Sequence, residues 1–389
     1  MKTRRIWSLL FALIVLLALP SQTTLGQNGG VACEFDPITA DLIRSLSKAR
    51  WTDWIEKLSG EEPVTIQGEE FTIETRYTSA MQANAENAQA FNFVLAQVKK
   101  WVPEEQVSVQ SFEYIDRFDP QSGTQTSRNL VVTFAGTTEP DEEVLLTAHL
   151  DSTAILPLRS APGADDNATG SAALLEAARV LRNYRFERTV RLIWFTAEEQ
   201  GLHGSRAYTE QNDMRSVIGV VNLDMFGYDG DGDRCFEMHV GSLPQSDTVG
   251  QCLAKVIEAY ALDLSYDYLD GQQAEQFSDH ASFWQAQVGA VGLIENVLDH
   301  DLPNGCALPE RDANPNYHTP NDHIEHINLD TGFSITRAAL AAVSSLAGPV
   351  EACRPGPMWI FSRRFGGSPS TTHCSGPWGL WELLGSFKQ

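Results

Sequence analysis

Three short apolar runs, each ending in ionisable residues, constrain this chain more than any other feature. Residues 144–148 lead into His149-Leu150-Asp151-Ser152, residues 191–195 into Thr196-Ala197-Glu198-Glu199, and residues 217–222 into Leu223-Asp224-Met225. Short runs rich in Val, Ile and Leu, apolar at both alternating positions, read as strands buried on both faces. Similar runs place strands at 129–134, 235–240 and 290–294. Apolar spacing predicts helices near 168–184, 205–211, 246–260 and 329–347, and earlier over 36–58 and 83–101. Strands alternating with helices predict a single three-layer α/β domain, with a mostly parallel central sheet and helices on both faces.

The strand ends carry the chemistry. In an open parallel sheet, ligands bind beyond the carboxyl ends of the strands, so these ionisable groups should meet in one crevice. Buried carboxylates side by side raise one another's pKa, and each unpaired charge costs several kcal/mol. One or two divalent cations resolve that conflict. Imidazole and carboxylate donors without thiolates suit catalytic zinc. A single such cluster would read as a strand end capped by water; three at consecutive strand ends do not. Two further segments extend the set. Gly163-Ala164-Asp165-Asp166-Asn167-Ala168-Thr169-Gly170 lies between a strand and a helix, and on its own it reads as a helix start with favourable acids. The glycosylation sequon at Asn167 is expected to be a buried chance match. Tyr317-His318-Thr319-Pro320-Asn321-Asp322 forms a Pro- and Asn-rich loop. The acids Asp229, Asp231 and Asp233 are spaced as in a calcium loop, but Arg234 and Val240 stand where the turn glycine and the bidentate acid belong.

The ends of the chain set its compartment. Lys2, Arg4 and Arg5 precede an apolar run over 6–19, and Thr24-Leu25-Gly26 offers a cleavage site. Residues 1–26 therefore read as a secretory signal peptide, too short in its apolar part to span a bilayer. The expectation is a secreted protein with no membrane attachment after cleavage. The net charge of −23 repels phosphate backbones and argues against nucleic-acid binding. Six cysteines in an exported chain suggest disulfides, with 15 pairings open. Residues 27–353 read as the catalytic domain, with its motifs between about 129 and 330. Residues 354–389 turn rich in Gly, Pro, Ser and Trp and read as a tail of unassigned role, which Cys374 would pin to the body.

The ordered series HLDS, GADDNATG, TAEEQGLHGS, NLDMFG, SDHASF and YHTPND resembles the co-catalytic dinuclear zinc aminopeptidases, which include secreted bacterial leucyl aminopeptidases. Each motif alone is weak; six in order are specific. The resemblance implies a zinc-exopeptidase fold and two zinc ions per chain. It places His149 and Asp224 on one metal, Glu199 and His318 on the other, and Asp166 between them, with a cis Asp166–Asn167 peptide next in the chain. Glu198 resembles the general base, and Asp151 the acid that orients the ligand imidazole. The implied substrate is a peptide with a free N-terminus. Asp279 and His280 are expected to shape the pocket without binding metal. The tyrosine that some relatives carry just before SDHASF is missing here, which leaves Tyr317 as a weaker candidate for stabilising the oxyanion. A one-zinc glutaminyl cyclase, a carboxypeptidase of the same fold and an inactive binding protein are the alternatives. The presence of every ligand position favours two metals and hydrolysis.

Overall fold

The structure, a computed structural model, describes residues 33–81, 88–297, 306 and 313–353. The predicted signal peptide, the tail and Cys374 lie outside the described residues. The elements in chain order are helices α1 (Pro37–Arg44), α2 (Lys48–Leu58), α3 (Gln89–Lys99), α4 (Gly170–Leu181), α5 (His203–Gln211), α6 (Pro244–Ala259), α7 (His280–Gln285) and α8 (Leu329–Ala347). The strands are β1 (Val64–Ile66), β2 (Glu69–Phe71), β3 (Val107–Ile115), β4 (Thr124–Phe134), β5 (Glu139–His149), β6 (Tyr184–Phe186), β7 (Arg188–Phe195), β8 (Val217–Leu223), β9 (Cys235–Gly241), β10 (Ser265–Asp270), β11 (Ala290–Glu295) and β12 (Pro349–Ala352).

Eight strands form one sheet in the order β10-β9-β11-β8-β5-β7-β4-β3. Its centre, β11-β8-β5-β7, is parallel, as expected from the apolar runs. Antiparallel pairs flank it, β11 with β9, β7 with β4 and β4 with β3, while the outermost β9 and β10 pair parallel. The sheet is therefore mixed, with a parallel heart. The link from Ile115 to Thr124 is too short for the crossover that a parallel pair requires, so β3 and β4 must be a hairpin.

Side chains alternate across the central strands. Val144, Leu146 and Ala148 of β5 face the larger core with Val190, Leu192 and Trp194 of β7. Leu145, Ile193 and Phe195 face a smaller core with Tyr208 of α5 and Phe283 of α7. Helices thus cover both faces, and the three layers hold. Helix α4 is buried almost throughout, which its Ala- and Leu-rich sequence permits. The expected helix over 36–58 is two helices. Ser45 closes α1, and Ser47 caps α2 by accepting from Arg50 N–H.

Two disulfides join distant parts of the chain, Cys33 with Cys252 of α6 and Cys235 of β9 with Cys306. Cys353 is also disulfide-bonded. No helix among the described residues is long and apolar enough to cross a membrane.

Candidate metal centre

The sheet delivers its donors from the carboxyl ends of β5, β7 and β8. His149 closes β5, Glu198 and Glu199 come after β7, and Asp224 comes after β8. Asp166 arrives from the turn before α4, and His318 from the loop before α8. His149 Nε2 lies 2.8 Å from Asp224 Oδ1 and 3.2 Å from Asp166 Oδ1. His318 Nε2 lies 3.1 Å from Asp166 Oδ2 and 3.0 Å from Glu199 Oε2. The two oxygens of Asp166 thus face different histidines, and each histidine has a second carboxylate of its own. All seven residues named from the sequence meet here; Asp151 and Glu198 flank the five donors.

Several local devices fix these positions. The Asp166–Asn167 peptide is cis. Asp322, within YHTPND, accepts from the N–H groups of Asp165 and Asp166 at 3.0 and 3.1 Å. Asp165 turns away and accepts from Gly227 and Tyr228 N–H. Asn167 is fully buried and donates to Leu223 O, so its sequon is closed to modification. Gly163 has φ +54°, and a Cβ there would strike Asp166 O and Ser152. Ala197, Met225 and His318 also hold left-handed backbone, with φ of 58°, 40° and 53°. Three such residues at or beside the site's functional side chains mark a geometry that overrides local preference.

Asp151 carries more than the expected task. The nearer partner of His149 Nδ1 is the Asp151 main-chain carbonyl at 3.0 Å, while the carboxylate stands 3.7 Å away. That carboxylate accepts from Thr78 Oγ1 at 2.9 Å and from Glu198 and Glu199 N–H at 3.3 Å each. It therefore ties the β5 end to the β7 end. On β8, Ser278 of SDHASF donates to Asp224 Oδ2 at 2.5 Å and accepts from Asn222.

The electrostatics show what the site lacks as a protein alone. Burial pushes Glu198 well above the usual carboxylate range, and burial with the nearby Asp166 charge pushes Glu199 up to about 7. Burial would also raise Asp166, but its hydrogen bonds with His149 and His318 hold it low. Burial would lower His318, yet the same carboxylates drive it up to about 10, and His149 rises in the same way. The acids are thus drawing positive charge onto the imidazoles. Glu199 Oε1 is buried with no hydrogen-bond partner. Two sets of one imidazole and carboxylates, sharing Asp166 and free of thiolates, fit zinc better than protons.

Arg76 is the main residue that left no mark in the sequence. It is fully buried, and its guanidinium donates to four main-chain carbonyls, those of Leu150, Leu58, Pro162 and Gly163, at 2.5–2.8 Å. Leu150 separates His149 from Asp151, and Pro162-Gly163 lead into Asp165-Asp166, so one guanidinium spans both donor-bearing turns. Arg76→Ala is expected to destabilise the protein by about 3–5 kcal/mol in urea unfolding, because it leaves buried carbonyls unpaired. A loss below about 1 kcal/mol would remove Arg76 as the anchor.

The remaining candidates take structural places. Asp279 is fully buried and pushed up to about 7 by burial; His280 is held neutral, down at about 3, by burial. Tyr317 stacks on His318, with ring centres 3.7 Å apart, and is half exposed. The acid atoms of Asp229, Asp231 and Asp233 converge within 4.8 Å, but Asp229 already accepts from Asn328 and Thr331.

Fold and donor set together define an α/β protein of zinc-exopeptidase architecture. The chain belongs to peptidase family M28, whose pattern it matches over residues 129–343. It is 29% identical over 265 residues to a probable leucine aminopeptidase of Trichophyton verrucosum (strain HKI 0517), covering 66% of this chain and 65% of that relative. The chain therefore spans just under two thirds of that relative's length. In structure it resembles the LapA aminopeptidase of Legionella pneumophila, with TM-score 0.60 and 21% identity over 80% of this chain and 73% of that one. It also resembles BSAP, a zinc aminopeptidase from Bacillus subtilis, with TM-score 0.58 and 19% identity over 78% and 95% of the two chains. At these identities the structural likeness speaks for the fold.

Proposed function

We propose that this protein is a secreted aminopeptidase that hydrolyses the N-terminal bond of peptides with two zinc ions. His149 and Asp224 would hold one, Glu199 and His318 the other, and Asp166 both. The observation that carries this reading is the pair of Asp166 oxygens facing two histidines, each histidine backed by a separate carboxylate. When bound, the ions supply Lewis acidity and an acidified water.

The chain's own groups supply the rest. Glu198 sits beside the donors with its main chain held by Asp151, and its burial makes the carboxylate a stronger base. It takes the proton of the attacking water and returns it to the departing amine. Tyr317, stacked on His318 at the open rim, offers a phenol that is protonated at neutral pH and can donate there. The carboxylate excess favours a cationic substrate end, which is what a free N-terminal ammonium provides. Arg76, the cation buried beside the site, commits its guanidinium to carbonyls, which leaves it unable to clamp a substrate carboxylate as a carboxypeptidase would require. Export through the N-terminal segment and two internal disulfides fit an extracytoplasmic workplace.

Free leucine anilide is expected to be cleaved by the zinc-loaded protein, and its N-acetyl form about 10⁴-fold more slowly in kcat/KM, since acetylation leaves the acids facing the ammonium unpaired. Equal rates for the two substrates would end the exopeptidase reading.

A further inference from the structure

Two of the apolar runs that lead to donors each carry one polar side chain, Thr147 within 144–148 of β5 and Asn222 within 217–222 of β8. The two residues are partners in the parallel register of β5 and β8, and both are wholly buried. Thr147 lies two residues before His149, on the same face of its strand, and Asn222 lies two residues before Asp224. A hydroxyl and an amide at this depth cost free energy unless hydrogen bonds satisfy them. The main-chain ladder already joins the two strands, so the pair is not needed to hold them together.

Their hydrogen bonds lead out of the core to the metal centre. Thr147 Oγ1 donates to Asn222 Oδ1 at 2.7 Å, Asn222 Nδ2 donates to Ser278 Oγ at 2.9 Å, and Ser278 donates to Asp224 Oδ2 at 2.5 Å. The last acceptor sets the direction of every bond. An ionised carboxylate has no proton to give, so Ser278 must turn its single proton toward Asp224. Ser278 can then only accept from Asn222, which must point its amide nitrogen at the serine and its oxygen at Thr147. Asp224 Oδ2 is thereby occupied, and Oδ1, 2.8 Å from His149 Nε2, is the oxygen left for an ion. Glu199 differs. Its Oε2 faces His318, and its Oε1 has no hydrogen-bond partner, so both of its oxygens stay open. The chain of bonds from Thr147 therefore serves one of the two donor sets.

We infer that Asn222 and Thr147 are positioning residues for the metal centre: acting through Ser278, they hold Asp224 so that it binds its ion through Oδ1 alone. This rests on the dinuclear reading. The test titrates the metal-free protein with zinc against a chromogenic chelator, which reads the affinity of each ion without reference to activity. Ser278→Ala should weaken one of the two ions by about 10- to 100-fold and leave the other within about threefold. Asn222→Leu, close to asparagine in shape and suited to an apolar strand, should weaken the same ion by about tenfold without lowering the Tm of the metal-free protein. Thr147→Val should act like Asn222→Leu, and Thr147→Ser, which keeps the hydroxyl, should bind both ions as the wild type does. Combining Asn222→Leu with Ser278→Ala should weaken that ion no further than Ser278→Ala alone, because the two residues act in series. Losses that multiply in the double variant overturn the inference, as do affinities within about threefold of wild type in Asn222→Leu. Equal weakening of both ions with a lowered Tm would make Thr147 and Asn222 a purely structural pair and overturns it too. If the wild-type protein itself takes up fewer than two ions, the dinuclear reading has failed, and this inference falls with it.

Discussion

Glu198→Gln is expected to keep both metals and lose roughly 10²–10⁴-fold in kcat, the usual loss when a positioned general base is removed. Glutamine preserves the shape of the side chain and leaves the main-chain N–H of residue 198 on Asp151 undisturbed. It cannot take up a proton. The measurement is zinc content by mass spectrometry beside turnover of leucine anilide. A variant with normal zinc and a rate within about threefold of wild type would remove Glu198 from the role. A variant that lost zinc as well would make Glu198 a ligand.

Asp166→Asn should cost more, because the one carboxylate faces both histidines. Amide nitrogen is no ligand for zinc, so the variant keeps at most one good oxygen donor at this position. Zinc content should fall from about two ions per chain to one or fewer, and turnover should fall below that of the Glu198 variant. Chelation of the wild-type protein should abolish activity, and zinc should restore it. Two retained ions in the Asn variant would show that Asp166 does not bridge. The backbone offers a control on folding: the N–H groups of residues 165 and 166 bond to Asp322 whatever the side chain at 166.

Three of the five proposed ligands, His149, Glu199 and Asp224, were legible as ionisable residues where apolar strands end, since strand ends share one edge of a sheet; Asp166 and His318 come from a turn and a loop, and only the family resemblance pointed to them. The parallel centre was legible for the same reason: β5, β7 and β8 are apolar on both faces. Strand β3 was not, since most of its residues are wholly or partly exposed and its sequence shows no apolar run. The antiparallel flanks were missed with it. Arg76 left no local sign at all. Its partners are main-chain carbonyls, which have no residue identity, and they come from the end of α2 and two separate turns. Asp322 and Ser278 stand inside the YHTPND and SDHASF motifs, yet only the fold reveals that they hold Asp166 and Asp224. Which atom of Asp151 meets His149 was equally out of reach, because a side chain and its own carbonyl are the same letter in a sequence.

The two cross-links overlap along the chain, one closing 33 to 252 and the other 235 to 306. A single backbone cut anywhere from 33 to 306 therefore releases no fragment. His149, Asp166, Glu199 and Asp224 all lie on this interlocked stretch, and His318 comes shortly after it. In a milieu rich in endopeptidases, a nicked molecule would keep its parts together long enough for the intact fold to hold the break shut.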